Sequence, residues 1–142
     1  MTKEEKLYIK ECDCPEIQNR WKPKVGDRCF NEYICTERKV DVLFIIQTDI
    51  KGETKKEVML NTFHHINKGG LIFLPSLDQL LDILGERLSH LALYKKVYRC
   101  VLNGKMVALR DLIYNGSTRK LACLLAVKEV LKEESVERGG KR

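Results

Sequence analysis

The sequence predicts an α+β domain in which an antiparallel sheet of about four to six strands is packed by two main helices, with a short N-terminal helical segment. Two observations predict this class. Segments with strand character follow one another across short turns, and two amphipathic helical segments lie further along the chain. A parallel sheet would instead need helices that alternate with single strands. We expect one domain over residues 1–134 and a flexible, charged tail over residues 135–142.

The composition excludes disordered and low-complexity chains. Of 142 residues, 44% are hydrophobic and 32% charged, with 3 Pro and 9 Gly. No apolar run approaches the roughly 20 residues that a membrane-spanning helix needs. The start Met1–Lys6 has mixed charge and no apolar stretch behind it, so we do not expect a signal peptide there. We therefore expect a cytoplasmic protein with no membrane partner.

Local signals place the helices. A capping box at Thr2–Glu5 predicts a first helix over about residues 3–12. Pro15–Trp21 predicts a short second segment, because proline is tolerated at the first helical position. Another capping box begins Ser76–Gly85, where leucines recur at helical spacing until the glycine. The apolar segment Leu121–Leu131 predicts a largely buried final helix.

Aromatic and β-branched residues place the strands. The expected strands are Arg28–Phe30, Glu32–Thr36, Val40–Gln47, Glu57–His64, Leu71–Leu74, Tyr94–Leu102 and Lys105–Tyr114. Val40–Gln47 is apolar on both faces, which favours a strand inside the sheet with neither face in water. Asn103-Gly104 favours a two-residue turn that joins the last two strands in a hairpin.

The cysteines predict free thiols. Six are present: Cys12, Cys14, Cys29, Cys35, Cys100 and Cys123. Without an export signal the reducing cytosol is the expected setting, and the last four lie in apolar patterns as small hydrophobic residues. A zinc site on Cys12, Cys14, Cys29 and Cys35, with His64 and His65 as further ligands, fits zinc spacing poorly but stays open. We expect no metal and no cofactor.

Catalytic motifs are missing from the pattern. The histidines are His64, His65 and His90, and none stands in a nucleophile-elbow or zinc-protease motif. His64 and His65 alternate at a strand end, and we place His90 in the loop after the middle helix. Gly69-Gly70 precedes a strand, whereas phosphate loops precede a helix. We therefore expect no enzyme.

Two surfaces are candidates for nucleic-acid binding, in which rings stack on bases while cations meet phosphates. The first is a strand with Tyr94, Lys96, Tyr98 and Arg99. Alternation places the first three on one face and the arginine on the other. The second is near the N-terminus, with Arg20, Trp21, Lys22, Lys24 and Arg28. The alternative for this second set is that Trp21 anchors the short helix in the core. A net charge of +6 does not decide.

Three segments carry a resemblance: Cys14–Asp27, Leu74–Gly85 and Leu121–Leu131. Together they resemble a group of small uncharacterised proteins of bacteriophages and prophages in Gram-positive bacteria, and the layout is similar to the phage ABA sandwich domain. The chain departs from that pattern in the Gly116–Lys120 start of its last helix. The resemblance implies a phage origin and the host cytoplasm, and it implies no activity or catalytic residue.

Taken together, the residues and the resemblance predict a non-enzymatic phage accessory protein that acts by macromolecular binding. The expected partner is a host or phage protein, with modulation of a host protein or defence system as its role. The alternative is a nucleic-acid-binding module that uses either the strand or the N-terminal set. Oligomeric state stays open.

Overall fold

The computed structural model describes residues 1–50, 57–94, 97–103 and 113–140. It confirms the α+β class, with helices and two antiparallel sheets of five and three strands among these residues. The chain divides into two compact units, Met1–Pro75 and Ser76–Arg142. The boundaries of a single domain over residues 1–134 stay a prediction.

Three helices belong to the first unit: α1 (Lys3–Cys12), α2 (Pro15–Gln18) and α3 (Glu32–Arg38). The capping box predicted for α1 is present, and Pro15 begins α2. The expected strand at Glu32–Thr36 is wrong, because these residues lie in α3. Asn31 caps this helix by accepting a hydrogen bond from the Ile34 N–H, a local signal that outweighs the strand propensity of the segment.

The sheet of the first unit has the order β4-β3-β2-β1-β5, with every neighbouring pair antiparallel. Its strands are β1 (Arg28–Phe30), β2 (Leu43–Ile50), β3 (Glu57–Leu60), β4 (His65–Asn67) and β5 (Ile72–Phe73). A short 3-10 turn, Lys68–Gly70, joins the last two strands.

One face of this sheet forms the core of the unit. Cys29 lies opposite both Leu43 and Phe73, and Ile45 lies opposite Leu60. All five are buried. Opposed residues of antiparallel strands share a face, so the register defines an inner sheet face made of these side chains.

β2 lies inside the sheet, as expected, but it does not bury both of its faces. Leu43 and Ile45 are 0% and 1% exposed, whereas Phe44 and Ile46 between and after them are 40% and 43% exposed. A strand can have two neighbours in its sheet and still present alternate side chains to solvent. The reason is that packing against one face of a sheet leaves the opposite face uncovered. The expectation of a strand with neither face in water is wrong.

The second unit contains α4 (Leu77–Leu84), β6 (Leu88–Tyr94), β7 (Val97–Leu102), β8 (Ile113–Gly116) and α5 (Arg119–Gly140). Its sheet has the antiparallel order β6-β7-β8. The predicted capping box begins α4. The buried side of α5 consists of Leu121, Ala122, Cys123, Leu124, Ala126, Val127, Val130 and Leu131, as its apolar pattern predicted. The backbone of α5 is helical to Gly140, within the segment for which the sequence favoured a flexible tail.

Two strand assignments in the second unit need correction. The expected strand Tyr94–Leu102 is divided, because β6 ends at Tyr94 and β7 begins at Val97. The register pairs Tyr94 with Val97 and Leu93 with Tyr98, so the two tyrosines occupy opposite faces of the sheet. His90 lies in β6, where the sequence suggested a loop.

The predicted hairpin turn falls largely outside the described residues, since Gly104 and residues 105–112 are among those left undescribed. The described end of its second strand pairs Val101 with Ile113.

Candidate binding surface

Trp21 is part of the core of the first unit. It is 4% exposed, and its ring stacks on Phe73 with a centroid distance of 4.9 Å and an interplanar angle of 1°. Its Nε1–H donates to Asp27 Oδ2 at 2.9 Å, and the same oxygen accepts from the Lys24 N–H at 2.9 Å. The Lys68 ammonium donates to the Trp21 carbonyl and lies 5.9 Å from the ring centroid. Trp21 therefore holds the segment before β1 in place and has no open ring face for a base.

The other members of the N-terminal candidate set divide by exposure. Arg20, Lys22 and Lys24 are exposed on the segment between α2 and β1. Arg28 is half-buried and lies on β1 opposite Phe44. The structure thus brings Arg28 onto the sheet and leaves the other three cations on the segment that precedes it.

Arg28 and Phe44 belong to a face of the sheet opposite the core, which we call the outer sheet face. A residue belongs to this face if it stands next to an inner residue along its strand, or if it is paired with an outer residue on the neighbouring strand. They include Arg28, Phe30, Phe44, Ile46, Glu57, Met59, His65, Asn67 and Ile72. The outer sheet face therefore has aromatic and aliphatic side chains on its central strands and polar ones towards β4.

The turn between β3 and β4 is joined to β2 by hydrogen bonds with the main chain of Phe44. The Phe44 N–H donates to Asn61 Oδ1 at 3.1 Å, and the Asn61 N–H donates to the Phe44 carbonyl at 2.9 Å. Two residues further on, Phe63 has a φ of 63° and is 81% exposed. A left-handed backbone costs a residue such as phenylalanine about 1–2 kcal/mol, so the turn displays a large ring at the expense of local strain.

Charges on the outer sheet face are unevenly matched. Glu57 Oε2 lies 3.0 Å from His65 Nε2, so that carboxylate has a partner. The neighbouring Asp27 is buried and accepts from Trp21 and Lys24. Among the side chains that the structure describes, the Arg28 guanidinium makes no hydrogen bond or ion pair. Its donors are therefore available to a molecule that covers this face.

Of the strand candidate in the second unit, the structure describes the side chains of Tyr98 and Arg99. Tyr98 is half-buried, and the Arg119 guanidinium carbon lies 5.5 Å from its ring centroid. Arg99 follows it on the strand and lies on the other face. Tyr94 ends β6 on the face of Val97, and Lys96 is outside the described residues.

The two units differ in charge. Residues 1–75 contain 13 Lys plus Arg against 12 Asp plus Glu, whereas residues 76–142 contain 13 against 8. The first unit is therefore close to neutral at +1, and the second contributes +5 of the net +6. The outer sheet face belongs to the nearly neutral unit.

The six cysteines are free thiols, and five of them are buried. Burial raises the pKa of Cys29 to about 12, and the nearby Cys35 and Asp27 contribute to the rise. A hydrogen bond with Cys123, together with burial, raises the pKa of Cys100. Thiols whose pKa is raised in this way are poor nucleophiles and poor metal ligands. Within the described residues, no group of three or more His, Cys, Asp or Glu side chains is placed to hold a metal ion.

The imidazoles contact near neighbours in sequence. His64 Nδ1 lies 2.9 Å from Thr62 Oγ1, His65 contacts Glu57 as above, and His90 Nδ1 lies 3.1 Å from Ser89 Oγ. Nucleophilic catalysis needs a nucleophile in contact with a base, and a third group that contacts the base and orients it. The contacts of the described imidazoles do not assemble such a set.

Comparisons with family models, with curated proteins and with solved structures each found no match. The resemblance to small phage proteins therefore stays a prediction. The described helices include none that combines the length and hydrophobicity needed to cross a bilayer.

Sequence reasoning included Arg28 in the candidate surface but missed Phe44, Ile46 and Phe63. A run of apolar residues such as the one around Phe44 and Ile46 does not reveal which sheet face the helices cover. Phe63 had a usable signal, because it is an aromatic residue within a polar turn segment, Asn61–His64. Aromatic side chains in turns have little core to enter, and their exposure is informative for binding.

Proposed function

We propose that the protein works by binding another macromolecule through the outer sheet face and Phe63, without catalysis. The observation that carries this proposal is the exposure of large apolar side chains: 40% for Phe44 and 43% for Ile46 on the outer sheet face, and 81% for Phe63 in the turn that follows β3. Grouped exposed apolar residues with a polar surround mark interaction sites on soluble proteins.

Covering these side chains contributes to the free energy of binding. Burying a fully exposed phenylalanine or isoleucine side chain contributes about 1.5–3 kcal/mol. Covering Phe63 gains most of that amount, and covering Phe44 or Ile46 gains less than half of it. The inner sheet face cannot take this role, since Leu43, Ile45 and Leu60 are already buried in the unit's own core. Of the two faces of this sheet, the outer one is therefore the face open to a partner.

The proposed biological setting is that of a phage accessory protein in the host cytoplasm, with modulation of a host protein or defence system as its role. The support for this setting is the resemblance carried by Cys14–Asp27, Leu74–Gly85 and Leu121–Leu131.

Nucleic-acid binding is the second candidate function, and the observation that favours it is the +5 charge of the second unit. Its test is a gel shift with labelled DNA and RNA over a range of salt concentrations. Affinity for nucleic acid falls steeply with salt because binding releases counterions. No shift at low salt removes this candidate.

The main proposal is tested by comparing variants of the outer sheet face with a matched control. Phe44→Ala and Phe63→Ala each remove one ring, whereas Tyr33→Ala removes a ring that is 77% exposed on α3 and is not a residue of the sheet or of the turn after β3. Macromolecules captured from a lysate of a Gram-positive bacterium are quantified for each immobilised variant. A species that both phenylalanine variants lose is purified, and its affinity is measured by calorimetry.

We expect the affinity of that species to fall about tenfold or more for Phe44→Ala and Phe63→Ala, and to change less than about twofold for Tyr33→Ala. Circular dichroism and thermal unfolding establish that each variant is folded. Equal binding by all three variants and the wild type contradicts the proposal.

A further inference from the structure

We infer that the outer sheet face binds a protein segment that places a carboxylate against Arg28 while its apolar side chains cover Phe44, Ile46 and Phe63. This inference rests on the proposed function and specifies the partner's chemistry. It starts from Arg28, a half-buried arginine that stands opposite Phe44 on the face and has no ion pair among the described side chains.

The chemistry of arginine indicates the group that it meets. A guanidinium is always charged at physiological pH and presents five donors in a planar fork that matches the two oxygens of a carboxylate. Paired hydrogen bonds of this kind are shorter and stronger than neutral ones. Phe44 beside Arg28 is apolar, so a partner that covers both removes water from the pair and strengthens the attraction.

The neighbouring charges also favour an acidic group. Lys22 and Lys24 are exposed on the segment that leads into β1, close in sequence to Arg28. Asp27, the carboxylate next to Arg28 in sequence, already accepts from Trp21 and Lys24. Charge complementarity at this end of the outer sheet face is therefore satisfied by a negative group on the partner.

A protein segment fits this face better than a nucleic acid does. Nucleic-acid surfaces carry several cations that follow the phosphates, and the first unit has 13 basic against 12 acidic residues. Among its described residues, the outer sheet face has no lysine and a single arginine, Arg28. Its combination of aromatic residues, Met59 and one arginine is instead the composition that is enriched at the centre of protein interfaces.

Selection from a random peptide library tests the inference with a defined probe. The wild-type protein is immobilised and exposed to displayed 12-residue peptides, and peptides that also bind Phe44→Ala are removed. We expect the selected peptides to pair Asp or Glu with aromatic or aliphatic residues. A fluorescein-labelled peptide of the selected sequence then reports affinity by anisotropy.

Substitutions at one position separate charge from shape. Arg28→Gln should weaken the labelled peptide about tenfold or more, and Arg28→Lys should recover only part of the loss, because lysine lacks the planar fork. Arg38→Gln is the control, since it removes the same charge from an exposed site at the end of α3. Arg28→Glu should abolish binding, and replacing the peptide's acidic residue by lysine should restore it.

The outcomes distinguish this inference from the proposed function. Peptides without acidic residues, or equal affinity for the wild type and Arg28→Gln, overturn the inference. A fluorescein-labelled 20-nucleotide oligo-dT or oligo-U that binds in place of the peptides, and is lost with Phe44→Ala, also overturns it while the proposed function stands. If Phe44→Ala and Phe63→Ala leave the binding of peptides, oligonucleotides and lysate components unchanged, both the inference and the proposed function are wrong.

Discussion

The indole of Trp21 and the carboxylate of Asp27 form a buried hydrogen bond of 2.9 Å, and the two side chains are 4% and 8% exposed. The same oxygen of Asp27 also accepts from the Lys24 N–H. This carboxylate therefore closes the loop between α2 and β1 and fixes the point at which β1, and with it Arg28, enters the sheet.

Replacing Asp27 by alanine should destabilise the protein. The substitution leaves the Trp21 Nε1–H buried without its acceptor, which costs about 1–3 kcal/mol. Urea unfolding should show a lower midpoint than for the wild type. Asp82→Ala, at an exposed position on α4, serves as the control and should change the free energy of unfolding by less than about 0.5 kcal/mol. If the Asp27→Ala protein is as stable as the control, the hydrogen bond between Trp21 and Asp27 contributes nothing to stability.

Gly116→Ala should also lower stability, for a steric reason. A Cβ at Gly116 would lie 2.6 Å from the Ala122 backbone nitrogen, so β8 or the start of α5 must move to admit it. Such overpacking costs about 1–3 kcal/mol. Gly69→Ala is the matched control, because the nearest atom to its added methyl group is an Asn67 side-chain oxygen at an ordinary 3.5 Å. Thermal unfolding of the two variants measures the difference, and equal midpoints would contradict it.

Phe63→Asn should raise stability and lower binding together. Asparagine tolerates the left-handed backbone that Phe63 adopts at a φ of 63°, so the folded state gains about 0.5–1 kcal/mol. The same change removes an exposed ring from the proposed contact. Chemical unfolding and the binding assay are run on one preparation. A loss of stability would show that the Phe63 ring supports the turn, contrary to its exposure of 81%.

The protein should lose stability in alkaline solution because the buried Cys29 thiol loses its proton there. Its pKa rises from 9.0 to about 12 on folding, chiefly through burial, so the folded state holds the proton more tightly than the unfolded state does. This contribution to stability is complete below pH 9 and is lost as the pH rises towards 12.

Comparison of Cys29→Ala with the wild type isolates that contribution. The free energy of unfolding of the wild type should decrease with pH more steeply than that of the variant, by at most about 1.4 kcal/mol per pH unit. Urea unfolding at about pH 8.5 and 10.5 measures both slopes. Cys14→Ala, at a half-buried position, is the control. Identical slopes for Cys29→Ala and the wild type would refute the assignment.

Features set by neighbouring residues were predictable from the sequence. The capping boxes at Thr2 and Ser76 and the apolar pattern of α5 placed three helices, because these signals act within one or two helical turns. The misassigned α3 also had a local signal at Asn31, which caps it. The strand propensity of the segment concealed this cap.

The sequence by itself determined the α+β class, the positions of the main helices and the burial of most thiols, since these depend on periodicity, capping and hydrophobicity along the chain. Tertiary structure alone decided that Trp21 is enclosed by Phe73 and that Phe44 faces water beside Arg28. The physical reason is that solvent exposure of a strand residue depends on which sheet face the helices cover, and that choice involves residues distant in sequence.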